Sequence, residues 1–217
     1  MFNTKNNRVL AIAPHADDIE IGMGGTIARL IDEGYTVKIV NAIIPCEDIN
    51  GVVSESFKFQ RKKESIDSGK VLKAEVENLD LDPYSFYFSR ELVKKFDLLI
   101  RRFDPGHIFM TWEHDSHQDH QVMAKVIYSA TRKNDKSLYM YETMLPGGIS
   151  SEAFRPQLFI DISNQIELKR KALLTYKSVF ESHPDLIEAI IGRALFRGSQ
   201  IGVKYAEAFE IVKNIIY

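Results

Sequence analysis

The chain has 217 residues, 45% of them hydrophobic, 11% aromatic and 27% charged. These ordinary proportions exclude disorder, collagen-like repeats and a disulfide scaffold, and at this length one contiguous domain over residues 1–217, burying roughly 70% of its unfolded surface, is expected. With 28 basic against 30 acidic residues the formal charge is −2, so the basic field that phosphate backbones require is missing and nucleic acid is excluded as a partner.

The first eight residues are mostly polar, and the apolar run behind them, 9–13, stops at Pro14-His15. A secretory leader needs an apolar stretch of about 7–15 residues, and a membrane span needs about 18. Neither pattern is present, and a lone cysteine, Cys46, fits a reducing compartment, so a cytoplasmic location is expected. The run 9–13 reads as a buried strand. Gly22-Met23-Gly24-Gly25 reads as a flexible turn, with Thr26 capping a helix over 26–33 closed by Gly34. Residues 36–44, rich in Val and Ile, give a second strand. A charged helix over 56–73 and a short strand at 76–79 follow. The segment 89–103 puts Leu92, Phe96, Leu99, Ile100 and Phe103 on one helical face, and Pro105-Gly106 stops it. Then come a strand at 107–112, a helix at 117–132, strands at 138–142 and 157–161, and helices at 165–180 and 185–196. Pro146-Gly147-Gly148 marks a loop. Helices between near-continuous apolar strands predict an α/β fold, a mostly parallel sheet flanked by helices.

In such folds ligands bind beyond the carboxyl ends of the strands. Two titratable clusters fall there: His15-Ala16-Asp17-Asp18, and His114-Asp115-Ser116-His117-Gln118-Asp119-His120. Imidazole and carboxylate suit zinc, and a catalytic zinc keeps three protein ligands and one open place. His114 and His120 stand about 600° apart on a helix, so one helical face does not present His114, His117 and His120 together. Ligands from both turns make the better site: His15, Asp18 and one of the later histidines. Asp17 is then a general base, the remaining histidine an oxyanion stabiliser or acid, and Asp119 its orienting group. These parts suit metal-assisted hydrolysis of an amide or ester. Gly22-Met23-Gly24-Gly25 does not extend to a dinucleotide fingerprint, because Ile27 stands at the third glycine position and no acid ends the second strand. His114 and Asp115 read as pocket rim, Arg61 as equally a solvated helix face, Trp112 as core and Cys46 as an ordinary residue after a strand. His183 and His107 read as a helix-entry and a strand residue.

The stretch from His15-Ala16-Asp17-Asp18 to Gly22-Met23-Gly24-Gly25-Thr26 resembles the signature of the PIG-L/LmbE-like family of zinc-dependent de-N-acetylases. His117-Gln118-Asp119-His120 resembles its second motif, and Gly202 with Tyr205-Ala206-Glu207-Ala208-Phe209 its third. Asp161-Ile162-Ser163 with Lys169 is similar to a later family segment, and the resemblance spans roughly residues 9–210. It implies a Rossmann-like, LmbE-like fold, Zn2+ held by His15, Asp18 and His120, and Asp17 as general base. His117, oriented by Asp119, is implied to stabilise the oxyanion, and Arg61 to reach the substrate. The implied substrate is a small-molecule N-acetyl amino sugar or conjugate, and the implied assembly a homo-oligomer. Two departures bear on substrate choice. Relatives commonly carry Asp-Arg-His-Pro-Asp-His where this chain has Asp115-Ser116-His117-Gln118-Asp119-His120, and a Pro-Asp-x-Gly-like loop is missing from 76–90. The loops at 46–55 and 145–154 are expected to set specificity. Two rivals stand beside deacetylation: amidase action on another acyl or thiol conjugate, and an inactive metal-containing sugar-binding protein.

Overall fold

The computed structural model describes residues 6–47, 51–133, 135–143, 150 and 152–216. Pro146-Gly147-Gly148 lies outside them, as do parts of the loops at 46–55 and 145–154. The chain runs β1 (Arg8–His15), α1 (Asp18–Asp32), β2 (Thr36–Ile43), α2 (Glu55–Leu72), β3 (Glu75–Asn78), α3 (Arg90–Phe103), β4 (His107–Thr111) and α4 (Gln118–Thr131). It continues through β5 (Ser137–Tyr141), β6 (Leu158–Asp161), α5 (Ile166–Leu173), α6 (Lys177–Phe180), α7 (Pro184–Ser199) and β7 (Ala206–Lys213). No helix among the described residues is long and apolar enough to cross a membrane.

One seven-stranded sheet has the order β3-β2-β1-β4-β5-β7-β6. The first five strands of that order pair in parallel, with Val9 beside Val37 and His107; β7 runs antiparallel to both β5 and β6. The mostly parallel α/β expectation is met. Alternate residues of β1 feed opposite faces: Val9, Ala11 and Ala13 pack with α1, α5 and α7, whereas Leu10 and Ile12 pack with α3 and α4. Each fully buried Val, Leu or Ile side chain among these contributes about 1.5–3 kcal/mol. Strands buried on both faces read as continuous apolar runs, which is why β1, β2 and β4 are plain in the sequence. Ser89 caps α3, accepting from the Leu92 N–H, and the expected face is buried at Phe96, Leu99, Ile100 and Phe103.

Two expectations are corrected and one strand is added. The glycine run is helix, not turn: α1 starts at Asp18 and bends at Met23 (φ −148°, ψ 21°) instead of starting at Thr26. The glycines serve close packing, since a Cβ on Gly22 would lie 2.3 Å from the Tyr141 ring and one on Gly25 2.6 Å from Ile162. The predicted helix 165–180 is two helices, α5 and α6, broken at 174–176. Finally, β7 is a strand that periodicity does not reveal, because Ala206 to Glu210 are all buried, two glutamates among them.

Candidate metal centre

Strand order reverses between β1 and β4, and crevices form at such switch points beyond the carboxyl ends. β1 delivers His15 there and runs through Asp17 into α1; β4 leads through the turn at 112–117 into α4. Asp17 has φ 114° and ψ −29°, a left-handed conformation that a non-glycine residue holds at a cost on the order of 1–3 kcal/mol. It turns the chain sharply enough to set Asp18 on the first turn of α1, where its Oδ2 accepts from the His15 N–H at 3.0 Å. His117 caps α4, its Nδ1 accepting from the Asp119 N–H at 3.1 Å, so His120 sits on the first turn of that helix.

Across the crevice the two turns meet. Asp18 is flanked by both imidazoles, Oδ2 lying 3.4 Å from His15 Nδ1 and Oδ1 3.3 Å from His120 Nε2. Tetrahedral bonds of about 2.0–2.1 Å give ligand-to-ligand edges of roughly 3.3–3.4 Å, so these separations suit a single ion. Ligand atoms of His15, Asp18 and His120 all lie within 4.8 Å of one another, as do those of a second set, His15, His117 and Asp119. The far nitrogen of each ring meets another carboxylate: His15 Nε2 is 3.0 Å from Asp119 Oδ2, and His120 Nδ1 is 3.0 Å from Asp115 Oδ2. Carboxylates behind ligand imidazoles fix the tautomer and raise basicity. The first set therefore fits a metal ion better, with a backing group on both histidines.

Burial alone would lower the His15 pKa, but Asp119 and Asp18 outweigh it and raise it to about 9. His120 is likewise raised against burial, to about 10, by Asp18 and Asp115. Burial acts to raise Asp18, yet the two imidazoles hold its carboxyl well below the usual range. Burial pushes Asp17 up, with Arg61 pulling it back. His117 is lowered, by burial first and then by the neighbouring imidazoles.

A cavity of about 450 Å³ opens on this cluster, walled by Ile21, Pro45, Phe57, Val179 and Leu186 beside the polar groups. His15, Asp17, Asp18, His117 and His120 all line it. Asp119 meets His117 through its main-chain N–H, whereas its carboxylate faces His15. Arg61 is 3% exposed, not a solvated face; its guanidinium is occupied by Asp17, the Ala16 carbonyl and Ser178. Asp115 is not rim but buried, accepting from the His117 N–H at 2.8 Å and from Thr143 Oγ1. His114 stays exposed, its ring 5.4 Å from that of Trp112. His183, the expected helix-entry residue before α7, also lines the cavity, and sequence reasoning passed over Glu20, pushed up to about 7 by burial while accepting from Ser68 and Tyr176. Only the spacing of Asp115 from His120 hinted at its part; Glu20 carried no signal beyond being an acid in an apolar run.

Sheet order and donor set together define an α/β protein with a metal-capable centre at its switch point. The sequence pattern of the PIG-L family, described as GlcNAc-PI de-N-acetylase, matches residues 10–131. That span is more than half of the chain and holds every residue of the centre; the chain belongs to this family. It is 29% identical to the diacetylchitobiose deacetylase of Thermococcus kodakarensis, over 96% of this chain and 84% of that protein. Its fold matches the N,N'-diacetylchitobiose deacetylase of Pyrococcus horikoshii with a TM-score of 0.81 at 24% identity, covering 96% and 85% of the two chains. It also matches GalB, the 4-carboxy-2-hydroxymuconate hydratase of Pseudomonas putida, with a TM-score of 0.83 at 20% identity, covering 97% and 98%. One fold thus hosts proteins with different reactions.

Proposed function

We propose that this protein is a zinc-dependent N-deacetylase that hydrolyses the N-acetyl group of an amino sugar or its conjugate, yielding acetate and a free amine. The observation that carries this reading is the convergence of His15, Asp18 and His120, with Asp17 and His117 beside them in one cavity. Family membership and the similarity to a diacetylchitobiose deacetylase support the substrate class. A cavity of about 450 Å³ is of small-molecule size.

Two imidazoles and a carboxylate form a donor set of the kind that leaves zinc one open position. Zinc held there would supply Lewis acidity, bringing the pKa of water down to about 7 and polarising the scissile carbonyl. Asp17 accepts the proton of the attacking water and returns it to the departing nitrogen. Burial raises its proton affinity, which makes it a stronger base than an exposed carboxylate. His117 is neutral near pH 7, and because Nδ1 accepts from the Asp119 N–H, its ring proton stays on Nε2. That N–H donates to the carbonyl oxygen as negative charge develops, an effect typically about 10²–10³-fold in rate.

Metal analysis of the purified protein, with amine release measured over N-acetylated glycosides, nucleotide sugars and simple amides, tests the reading. The expected result is about one zinc per chain and release of acetate with the amine. A different acid as co-product would favour the wider amidase reading. Zinc-loaded protein that frees no amine from any of these compounds would overturn hydrolysis at this centre.

A further inference from the structure

We propose that Arg61 is a positioning residue for Asp17: it clamps the strained turn on which the base stands instead of contacting substrate. The inference rests on the deacetylase reading above and concerns how its base is held. One guanidinium nitrogen, Nη2, donates to the Ala16 carbonyl and lies 3.2 Å from Asp17 Oδ2. It therefore grips both the peptide that enters the left-handed residue and that residue's own carboxylate. The other, Nη1, donates to Ser178 Oγ at 3.3 Å and stands 4.0 Å from Glu64 Oε2.

Those partners are themselves fixed. Glu64 accepts from the Ser178 N–H at 3.0 Å, from Ser178 Oγ, and from Gln60 Nε2 at 2.9 Å. The ring of Tyr176 lies under the guanidinium, 5.2 Å from its carbon, and donates its hydroxyl to Glu20 at 2.9 Å. Glu64 of α2, Tyr176 before α6 and Ser178 on α6 thus surround Arg61, at 3% exposure. A planar fork with five donors meets these acceptors together; a lysine ammonium is a point charge and does not. Both Nη nitrogens are directed at protein acceptors, even though the side chain also borders the cavity. Arg61 thereby gives the Asp17 carboxylate a fixed place, and a misplacement of about 1 Å in such a group costs roughly 10²-fold.

The test is a double-mutant cycle on the zinc-loaded enzyme, with Arg61→Gln and Arg61→Lys each made alone and in the Asp17→Asn background. Steady-state constants, zinc content and thermal midpoint are measured throughout. Arg61→Lys keeps a buried cation and serves if Arg61→Gln does not fold. We expect kcat to fall about 10²-fold for Gln and less for Lys, with KM and zinc content within about twofold of the parent. In Asp17→Asn, the same changes should cost under about threefold, because no base remains to be placed. A raised KM with kcat preserved, or losses that multiply in the double variants, overturns the clamp and leaves the deacetylase reading standing. Full turnover in Asp17→Asn alone sinks the base assignment and the clamp with it.

Discussion

At the centre the imidazoles of His15 and His120, the proposed ligands, each stand between two carboxylates, and that arrangement has measurable consequences. Asp115→Ala removes the group behind His120 and should weaken zinc binding roughly 10–100-fold, read by chelator competition, with zinc still bound at saturation. Unchanged affinity would reduce Asp115 to a turn residue. Asp17→Asn should retain zinc and lose roughly 10²–10⁴-fold in turnover. In the metal-free protein, His15 titrates near 9 and His120 near 10, against 6.5 for an ordinary imidazole. Protonated rings therefore favour the folded state; that contribution is whole below about pH 6.5 and is lost as pH climbs through 9 to 10. Zinc affinity moves the opposite way, rising over the same span as the protons leave. Calorimetry of zinc uptake at pH 7 in buffers of different ionisation enthalpy should show about two protons released. Uptake without proton release would contradict these raised values.

Among the elements, α1 is the one on which the site depends most, and its bend is held from a distance. Glu207 on β7 accepts from the Gly25 and Thr26 N–H groups at 3.1 and 2.6 Å, just past the kink at Met23. Lys169 on α5, 1% exposed, pairs with Glu207 and donates to the Ile21 carbonyl at 2.8 Å. Glu207→Gln leaves that ammonium buried without its partner, and denaturant unfolding should show a loss of about 3–5 kcal/mol. A change under about 1 kcal/mol would mean that the kink is held by packing alone. None of this was legible from periodicity. Gly22-Met23-Gly24-Gly25 carries the composition of a turn, and only the nearness of Tyr141 and Ile162 shows why a helix needs glycine there. β7 hid for a similar reason: its glutamates are buried because each meets a partner far away in the chain. Arg61 read equally as a solvated face of α2 because a helix that buries charge looks, in sequence, like one that exposes it.

Across the whole molecule the parallel half of the sheet was plain, since strands covered on both faces must be apolar throughout. The two histidine-bearing turns were plain as well: β1 and β4 are adjacent, so motifs about 100 residues apart in the chain meet. What the sequence could not show was which neighbour each group would take, and so it paired the Asp119 carboxylate with His117 when His15 receives it. The molecule also draws its parts from separate regions. The groups proposed to react come from the turns after β1 and β4, whereas Phe57 comes from the start of α2, Val179 from α6 and Leu186 from the start of α7. Phe57→Ala or Leu186→Ala should therefore change relative KM values among N-acetyl compounds while zinc stoichiometry holds, and loss of zinc from either variant would show the two regions to be coupled. With the apolar walls and the proposed donor set lodged on different segments, substitutions can reshape the chamber and leave the imidazoles and carboxylates in place.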